Sequence, residues 1–277
     1  MTLPYAEVIG DPIAQSKSPA IHGFWLEKLG IAAEYRRAHV RSEELAAYIA
    51  ARRVDADWRG CNVTMPHKQA IIRLLDRLDA TAARIGAVNT VVCEADGTLT
   101  GHNTDAPGFI EPLLKAPVMP TRAVVIGAGG AARAIVTALV DAGVTVTIAA
   151  RHPAEAAALL NDLVPGAEYR ALDLADVAQP ASAPAFDLVV NASPLGMVGN
   201  PPQVFDLSHA TADAIVYDIV TAPRVTPLIA AARQSGQQTV DGLSMLIGQA
   251  AVAFEHFFGV APLRDDGDAE LRALLTA

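Results

Sequence analysis

Residues 123–152 read AVVIGAGGAARAIVTALVDAGVTVTIAARH. The opening AVVI and the closing VTVTIAA are short apolar runs rich in β-branched residues, of the kind that a parallel sheet buries on both faces. Between them Gly127, Gly129 and Ala132 fit G-x-G-x-x-A, and an apolar helix pattern continues to Gly143. A strand, a glycine turn, a helix and a second strand in that order make the first half of a dinucleotide-binding unit, whose helix N-terminus turns backbone N–H groups toward a pyrophosphate. FDLVVNASPLGM at 186–197 and AIVYDIV at 214–220 supply later strands of the same sheet. The stretch therefore sets the fold class as α/β, with a Rossmann-type doubly wound domain.

Upstream, LLKAPVMPTR at 113–122, with Pro117 and Pro120, reads as a linker. Before it the alternation recurs: YAEVIG at 5–10 as a buried strand, 19–29 as a helix, and AEYRRAHV at 33–40 as a strand of period two. A helix over 42–52 follows, with Ser42 placed to cap it and Glu43 and Glu44 in its first turn. GCNVTM at 60–65 is a strand end, 68–78 an amphipathic helix opening on Lys68, and AVNTVVCEADGTLTG at 87–101 a hairpin about Asp96-Gly97. A helix starts after Asp105. The chain thus reads as two α/β domains.

Composition narrows the ligand class. A net charge of -9, with 18% charged residues and no basic cluster, argues against nucleic-acid or anionic-membrane partners and for a small soluble molecule. The two cysteines, Cys61 and Cys93, lie in apolar runs without metal spacing, so buried reduced thiols are expected and no metal site. Mean hydropathy is +0.29, yet no run approaches about 20 uncharged apolar residues, and the N-terminus lacks a basic and apolar leader, so a cytoplasmic location is expected. Oligomeric state stays open; the apolar content is compatible with a homodimer.

The end of the second Rossmann strand bears on the cofactor. An acid there holds the ribose diol of NAD, whereas an arginine pairs with the 2′-phosphate of NADP. This strand ends Ala149, Ala150, Arg151, which points to NADP, while nearby Glu155 opposes a phosphate and keeps NAD as the alternative. In the first half, polar residues stand just past strand ends, where open α/β sheets place ligands: Ser16, Ser18, Thr64, Lys68, Asn89 and Asp105.

GDPIAQSKSP, NVTMPHK, GAVNT, NTDAPGF, GAGGAAR, NASPLGM and DGLSMLIGQ occur in the order and spacing of the shikimate dehydrogenase family, which the chain resembles from about Glu7 to Phe258. The resemblance implies reversible NADP(H)-dependent reduction of 3-dehydroshikimate to shikimate, a step toward chorismate and the aromatic amino acids. It implies a substrate-binding and catalytic domain of residues 1–106 completed by the C-terminal helices of 241–277, around a dinucleotide-binding domain of 107–240. It also implies roles. Lys68 and Asp105 match the catalytic residues, with Lys68 acting as base, acid or electrostatic stabiliser. Ser16 and Ser18 match the hydroxyls on the substrate carboxylate, while Thr64, Asn89 and Gln249 match groups that hold the carboxylate and ring hydroxyls. Gly127, Ala128, Gly129, Gly130 and Ala131 match the pyrophosphate loop. Asn191 and Ser193 lie by the nicotinamide-side ribose, and Ile219 and Gly242 by the nicotinamide.

The chain also departs from the family pattern. Ala150, Arg151, His152 and Glu155 replace a cluster with more cations, Thr221 on the substrate side replaces a tyrosine, and Gln15 and His22-Gly23 flank the serines. These changes keep open a quinate- or aminoshikimate-type dehydrogenase using NAD, and a catalytically silent nucleotide-binding paralogue.

Overall fold

The computed structural model describes residues 2–166, 169–183, 185–202 and 205–276, without the side chains of Asp265 and Asp266. The chain divides into two compact units, Met1–Thr104 with Gln249–Ala277, and Asp105–Gly248.

The first unit runs β1 (Tyr5–Gly10), α1 (Ser18–Leu29), β2 (Glu34–His39), α2 (Leu45–Arg53), β3 (Trp58–Val63), a 3-10 turn (Ala70–Leu74), β4 (Arg77–Leu78), α3 (Ala80–Ile85), β5 (Thr90–Cys93) and β6 (Leu99–His102). Its sheet has the order β2-β1-β3-β5-β6-β4. β1 lies parallel to β2 and β3, which requires the helical crossovers, whereas β5 is antiparallel to β3 and to β6. The β5–β6 hairpin turns at Asp96-Gly97, where Gly97 takes φ +82°, a conformation that favours glycine. Side chains alternate across a strand, and the two faces differ sharply. Tyr5, Ile9, Cys61, Val63, Val91 and Leu99 build an apolar core on one side. The registers Tyr35↔Ala6↔Gly60 and Thr90↔Asn62 put a row of polar side chains on the other.

Three local readings change. The helix expected over 68–78 is a turn followed by the short 3-10 segment, because Asp76 leaves the helical path to bond β6: its N–H donates to Leu99 O at 3.0 Å and its carboxylate accepts from Leu99 N at 2.8 Å. Sheet pairing has overridden a weak helix propensity. Ser42 does not cap α2, which begins at Leu45; Glu44 holds the preceding turn instead, accepting from Arg41 N at 2.9 Å. Cys61 is fully buried as expected, and burial raises its thiol pKa, but Cys93 is only partly covered.

The second unit runs α4 (Asp105–Leu114), β7 (Arg122–Ile126), α5 (Gly130–Asp141), β8 (Thr145–Ala150), α6 (Pro153–Leu163), β9 (Arg170–Asp173), α7 (Leu174–Val177), β10 (Phe186–Asn191), β11 (Ala210–Asp218), α8 (Pro227–Gln234) and β12 (Gln238–Val240). Its sheet is parallel throughout, in the order β12-β11-β10-β7-β8-β9. Strand order reverses between β7 and β10, so the carboxyl ends of these two strands flank the crevice where a doubly wound sheet binds nucleotides. α9 (Gly242–Phe258) gives its first residues, to Gly248, to this unit and the rest to the first, which α10 (Asp265–Thr276) also joins. Among the described residues no helix is long and apolar enough to cross a membrane.

The polar face of the first sheet is roofed by an aromatic group that includes a histidine. His22 of α1 stacks on Tyr35 with ring centres 3.9 Å apart and planes 5° apart, and lies edge-on to Trp25. It is completely buried, and neither ring nitrogen has a hydrogen-bond partner among the described residues. Burial pulls its pKa down from 6.5 to about 3. The folded state therefore binds fewer protons than the unfolded state below pH 6.5, so stability contributed by His22 is present above that pH and is lost as pH falls toward 3. His22→Phe keeps the aromatic packing and removes the titration. Denaturant unfolding at pH 7 and pH 5 should show the wild type losing about 2 kcal/mol more than the variant between the two; equal losses would contradict a buried neutral imidazole.

Candidate active site

The serine loop between β1 and α1 is held from two sides. Arg37 of β2 donates to Ser16 O through Nε at 3.0 Å and Nη2 at 2.6 Å. Lys17 Nζ donates to Leu275 O at 2.7 Å, tying the loop to α10. Ser16 Oγ accepts from Ser18 N at 3.3 Å, so the two serines share one turn, Ser18 buried and Ser16 partly so.

On the same sheet face lies a continuous buried hydrogen-bond chain. Tyr35 Oη donates to Asn62 Oδ1 at 2.5 Å, and Asn62 Nδ2 donates to Thr90 Oγ1 at 2.9 Å and Asn89 O at 3.3 Å. Thr90 Oγ1 donates to Asn89 Oδ1 at 3.0 Å, an atom that also accepts from Thr104 N at 2.7 Å. Asn89 Nδ2 in turn donates to Thr104 Oγ1 at 3.0 Å and Gln249 Oε1 at 3.4 Å. Two backbone groups, Asn89 C=O and Thr104 N–H, fix the polarity of the whole chain, because each has only one possible role. Gln249 Oε1 consequently accepts along the chain. Burial raises the Tyr35 phenol pKa well above its usual range, so it remains a neutral donor.

Thr64 and Lys68 follow β3. Thr64 N donates to Ile9 O at 3.0 Å, and Val88 N donates to Lys68 O at 2.8 Å, which sets the lysine's backbone against the segment carrying Asn89. Between them His67 is buried and places Nε2 2.7 Å from Val40 O. The Lys68 side chain is partly exposed. In the second unit Asp105 is buried and opens α4, where a carboxylate complements the positive end of the helix. Thr104, one residue earlier, is the threonine bound to Asn89.

The second unit has its own organising group. Asp218, fully buried at the end of β11, accepts from Asn191 Nδ2 at 3.0 Å and Val220 N at 3.0 Å through Oδ1, and from Thr226 Oγ1 at 2.6 Å through Oδ2. Burial raises its pKa while these bonds oppose the shift. One carboxylate thus pins the loop after β10, the loop after β11 and the start of α8. Asn191 Oδ1 accepts from Ser193 Oγ at 2.7 Å and Ser193 N at 3.1 Å.

Two glycines make room beside these loops. A side chain at Gly127, which has φ +107°, would come within 3.1 Å of Ser193 Cβ. One at Gly242 would lie 2.5 Å from Ile219 O and 2.4 Å from Val220 O. Gly129 caps α5 with extended backbone and no side chain over the helix start, and the first turn holds no acid. Open glycine backbone at a helix N-terminus suits a pyrophosphate, so Gly127, Ala128, Gly129, Gly130 and Ala131 fit a dinucleotide. Arg151, just past β8, is exposed and forms no ion pair among the described residues; Glu155 is exposed in the first turn of α6.

The structure therefore joins Ser16 with Ser18, Asn89 with Gln249, Asn191 with Ser193, Gly127 with Ser193 and Gly242 with Ile219. Arg151 and Thr221 take part in none of these groupings. Sequence reasoning missed Arg37, Tyr35, Asn62, Thr90, Thr104 and Asp218. Of these, Asn62 carried a readable signal, because it alternates in phase with Thr64 along GCNVTM.

The sequence profile of the shikimate dehydrogenase substrate binding domain matches residues 8–91, that of shikimate / quinate 5-dehydrogenase matches 115–246, and that of the shikimate 5'-dehydrogenase C-terminal domain matches 242–272. A shikimate dehydrogenase (NADP(+)) of Sphingopyxis alaskensis is 54% identical over 99% of this chain and 97% of its own length. A crystal structure of shikimate 5-dehydrogenase from Thermus thermophilus, in complex with NADP(H) and shikimate, superposes with a TM-score of 0.86 at 34% identity over 98% of this chain and 99% of that one. A quinate dehydrogenase from Corynebacterium glutamicum in complex with NAD reaches a TM-score of 0.86 at 35% identity over 99% of both chains. With matching profiles over both units and a relative this similar from end to end, the chain belongs to the shikimate dehydrogenase family.

Proposed function

We propose that this chain catalyses the reversible NADP(H)-dependent reduction of 3-dehydroshikimate to shikimate. The observation that carries the reading is the end-to-end similarity, at 54% identity, to a shikimate dehydrogenase (NADP(+)). The local geometry supports it. Ser16 and Ser18 share a turn whose hydroxyls hold the substrate carboxylate, with Thr64 beyond the adjacent strand. Asn89 and Gln249, oriented by the buried chain, bind the ring hydroxyls.

When bound, NADPH supplies the hydride to the substrate's carbonyl carbon. The chain's part is to orient the ring and manage the proton. Lys68 donates to the carbonyl oxygen as negative charge develops there, and in the reverse direction takes the proton of the alcohol. Asp105 accepts from a ring hydroxyl, fixing the face of the ring that is presented. Gly127 to Ala131, Asn191, Ser193, Ile219 and Gly242 hold the dinucleotide, and Arg151 pairs with its 2′-phosphate. Thr221, shorter than a tyrosine, leaves room on the substrate side.

Three outcomes are expected. In initial-rate assays at the reduced-nicotinamide band, shikimate with NADP⁺ should give the largest kcat/KM among the four pairings of shikimate or quinate with NADP⁺ or NAD⁺. A preference for quinate or NAD⁺ would replace this reading with a quinate-type enzyme, and no turnover with any pairing would replace it with a silent paralogue. Lys68→Ala should lower kcat by about a hundredfold or more, with NADPH affinity by fluorescence titration unchanged. Arg151→Ala should raise KM for NADP⁺ about tenfold and leave KM for NAD⁺ where it was; equal effects on both cofactors would remove Arg151 from the phosphate.

A further inference from the structure

Arg37 differs from its neighbours in how its charge is used. Arg36 pairs with Glu34, Arg52 with Glu7 and Arg53 with Asp76. Arg37 instead places two guanidinium donors on a neutral atom, Ser16 O, and has no acidic partner among the described residues. Its full positive charge is therefore retained, held within hydrogen-bonding distance of the backbone of the serine turn. The register Arg37↔Val8↔Asn62 puts Arg37 on the sheet face that carries the buried polar chain, one alternation along from Tyr35. Hydrogen bonding at Ser16 C=O also polarises the Ser16–Lys17 peptide, which makes its N–H a stronger donor.

This arrangement matters because of what the turn must bind. Hydroxyl groups at Ser16 and Ser18 can hold a carboxylate but contribute no charge, and the chain as a whole carries -9. An anionic ligand approaching such a protein meets net repulsion unless a local cation offsets it. Arg37 is a cation at this turn that is both oriented by a two-donor clamp and unneutralised.

We infer that Arg37 is a positioning and specificity residue for the substrate carboxylate: it fixes the Ser16 backbone and supplies the positive potential that selects a ring acid over a neutral ring. The inference rests on the assignment of Ser16 and Ser18 to the carboxylate in the proposed function.

The test is steady-state kinetics of Arg37→Gln, Arg37→Lys and Ser16→Ala with shikimate and NADP⁺, with thermal melting as a control on folding. Arg37→Gln should raise KM for shikimate about tenfold, with kcat within about twofold and KM for NADP⁺ unchanged. Arg37→Lys, which keeps the charge but loses the fork, should recover part of the loss. Between about 0.02 M and 0.5 M salt the wild type's KM for shikimate should rise while that of Arg37→Gln stays flat. Inhibition by shikimate methyl ester, which lacks the carboxylate charge, should weaken less in Arg37→Gln than the KM for shikimate rises. An unchanged KM in Arg37→Gln, or a loss shared equally by kcat and both Michaelis constants, overturns the role of Arg37. An unchanged KM in Ser16→Ala overturns the carboxylate assignment itself, so the two failures are distinguishable.

Discussion

Everything on the polar side of the first sheet depends on one constraint: a row of amides and hydroxyls is buried there, and each donor must find an acceptor. Leaving such a group unsatisfied costs about 1–3 kcal/mol, more than a typical hydrogen bond contributes. Tyr35, Asn62, Thr90, Asn89, Thr104 and Gln249 meet the constraint by bonding in sequence, with polarity dictated by the Asn89 carbonyl and the Thr104 amide. A chain of this kind has one low-energy arrangement, which is why the amides of Asn89 and Gln249 each present a defined atom. Small residues make it possible: Ala6 and Gly60 stand beside Tyr35 in the register and leave the phenol room to reach across β1. At Gly60 even a methyl group would lie 2.1 Å from Val91 O.

The second sheet meets a related constraint with a charge. Asp218 is buried, and the three groups that donate to it, from Asn191, Val220 and Thr226, are all neutral. Three donors to one carboxylate replace much of the hydration lost on burial. Because the donors come from three segments, a single side chain at a strand end ties together the end of β10, the loop after β11 and the start of α8. The two glycines nearby act in the same direction by exclusion: Gly127 and Gly242 allow backbone to approach Ser193 and Ile219 more closely than any side chain would permit.

How legible all this was depends on the range of the interaction. The second unit could be read almost residue by residue, since a parallel sheet demands continuous apolar strands and the glycine turn is local in sequence. β7, α5 and β8 fall where the sequence places them. The region 68–78 misled, because its apolar spacing fits a helix while its structure is decided by Asp76 bonding to Leu99, 23 residues away. Ser42 misled for the opposite reason: the local rule was sound, but Glu44 offered a competing local bond. In the site, polar residues just past strand ends were visible as anomalies in apolar context. Tyr35 and Arg37 were not, because in an edge strand with the burial pattern of β2 an aromatic and an arginine look like ordinary surface residues. Asp218 sat within YDIV with nothing local to mark it as the acceptor for three loops.

The distribution of charge follows from the same economy of burial. An acidic chain that must hold a ring carboxylate and a dinucleotide could bury cations for each, but an isolated buried ammonium or guanidinium carries a desolvation cost of several kcal/mol, and pairing it with an acid cancels its potential. In the proposed site neutral donors avoid this: hydroxyls at Ser16 and Ser18, and peptide N–H groups at the start of α5. Positive charge is then added at the margin, where water still solvates it. Arg37 and Arg151 are both exposed, and among the described residues neither is matched to an acid. The arrangement divides the labour. On the proposed reading, neutral groups provide geometry, which tolerates no error, while exposed cations provide long-range attraction, which needs little geometry but must stay unneutralised.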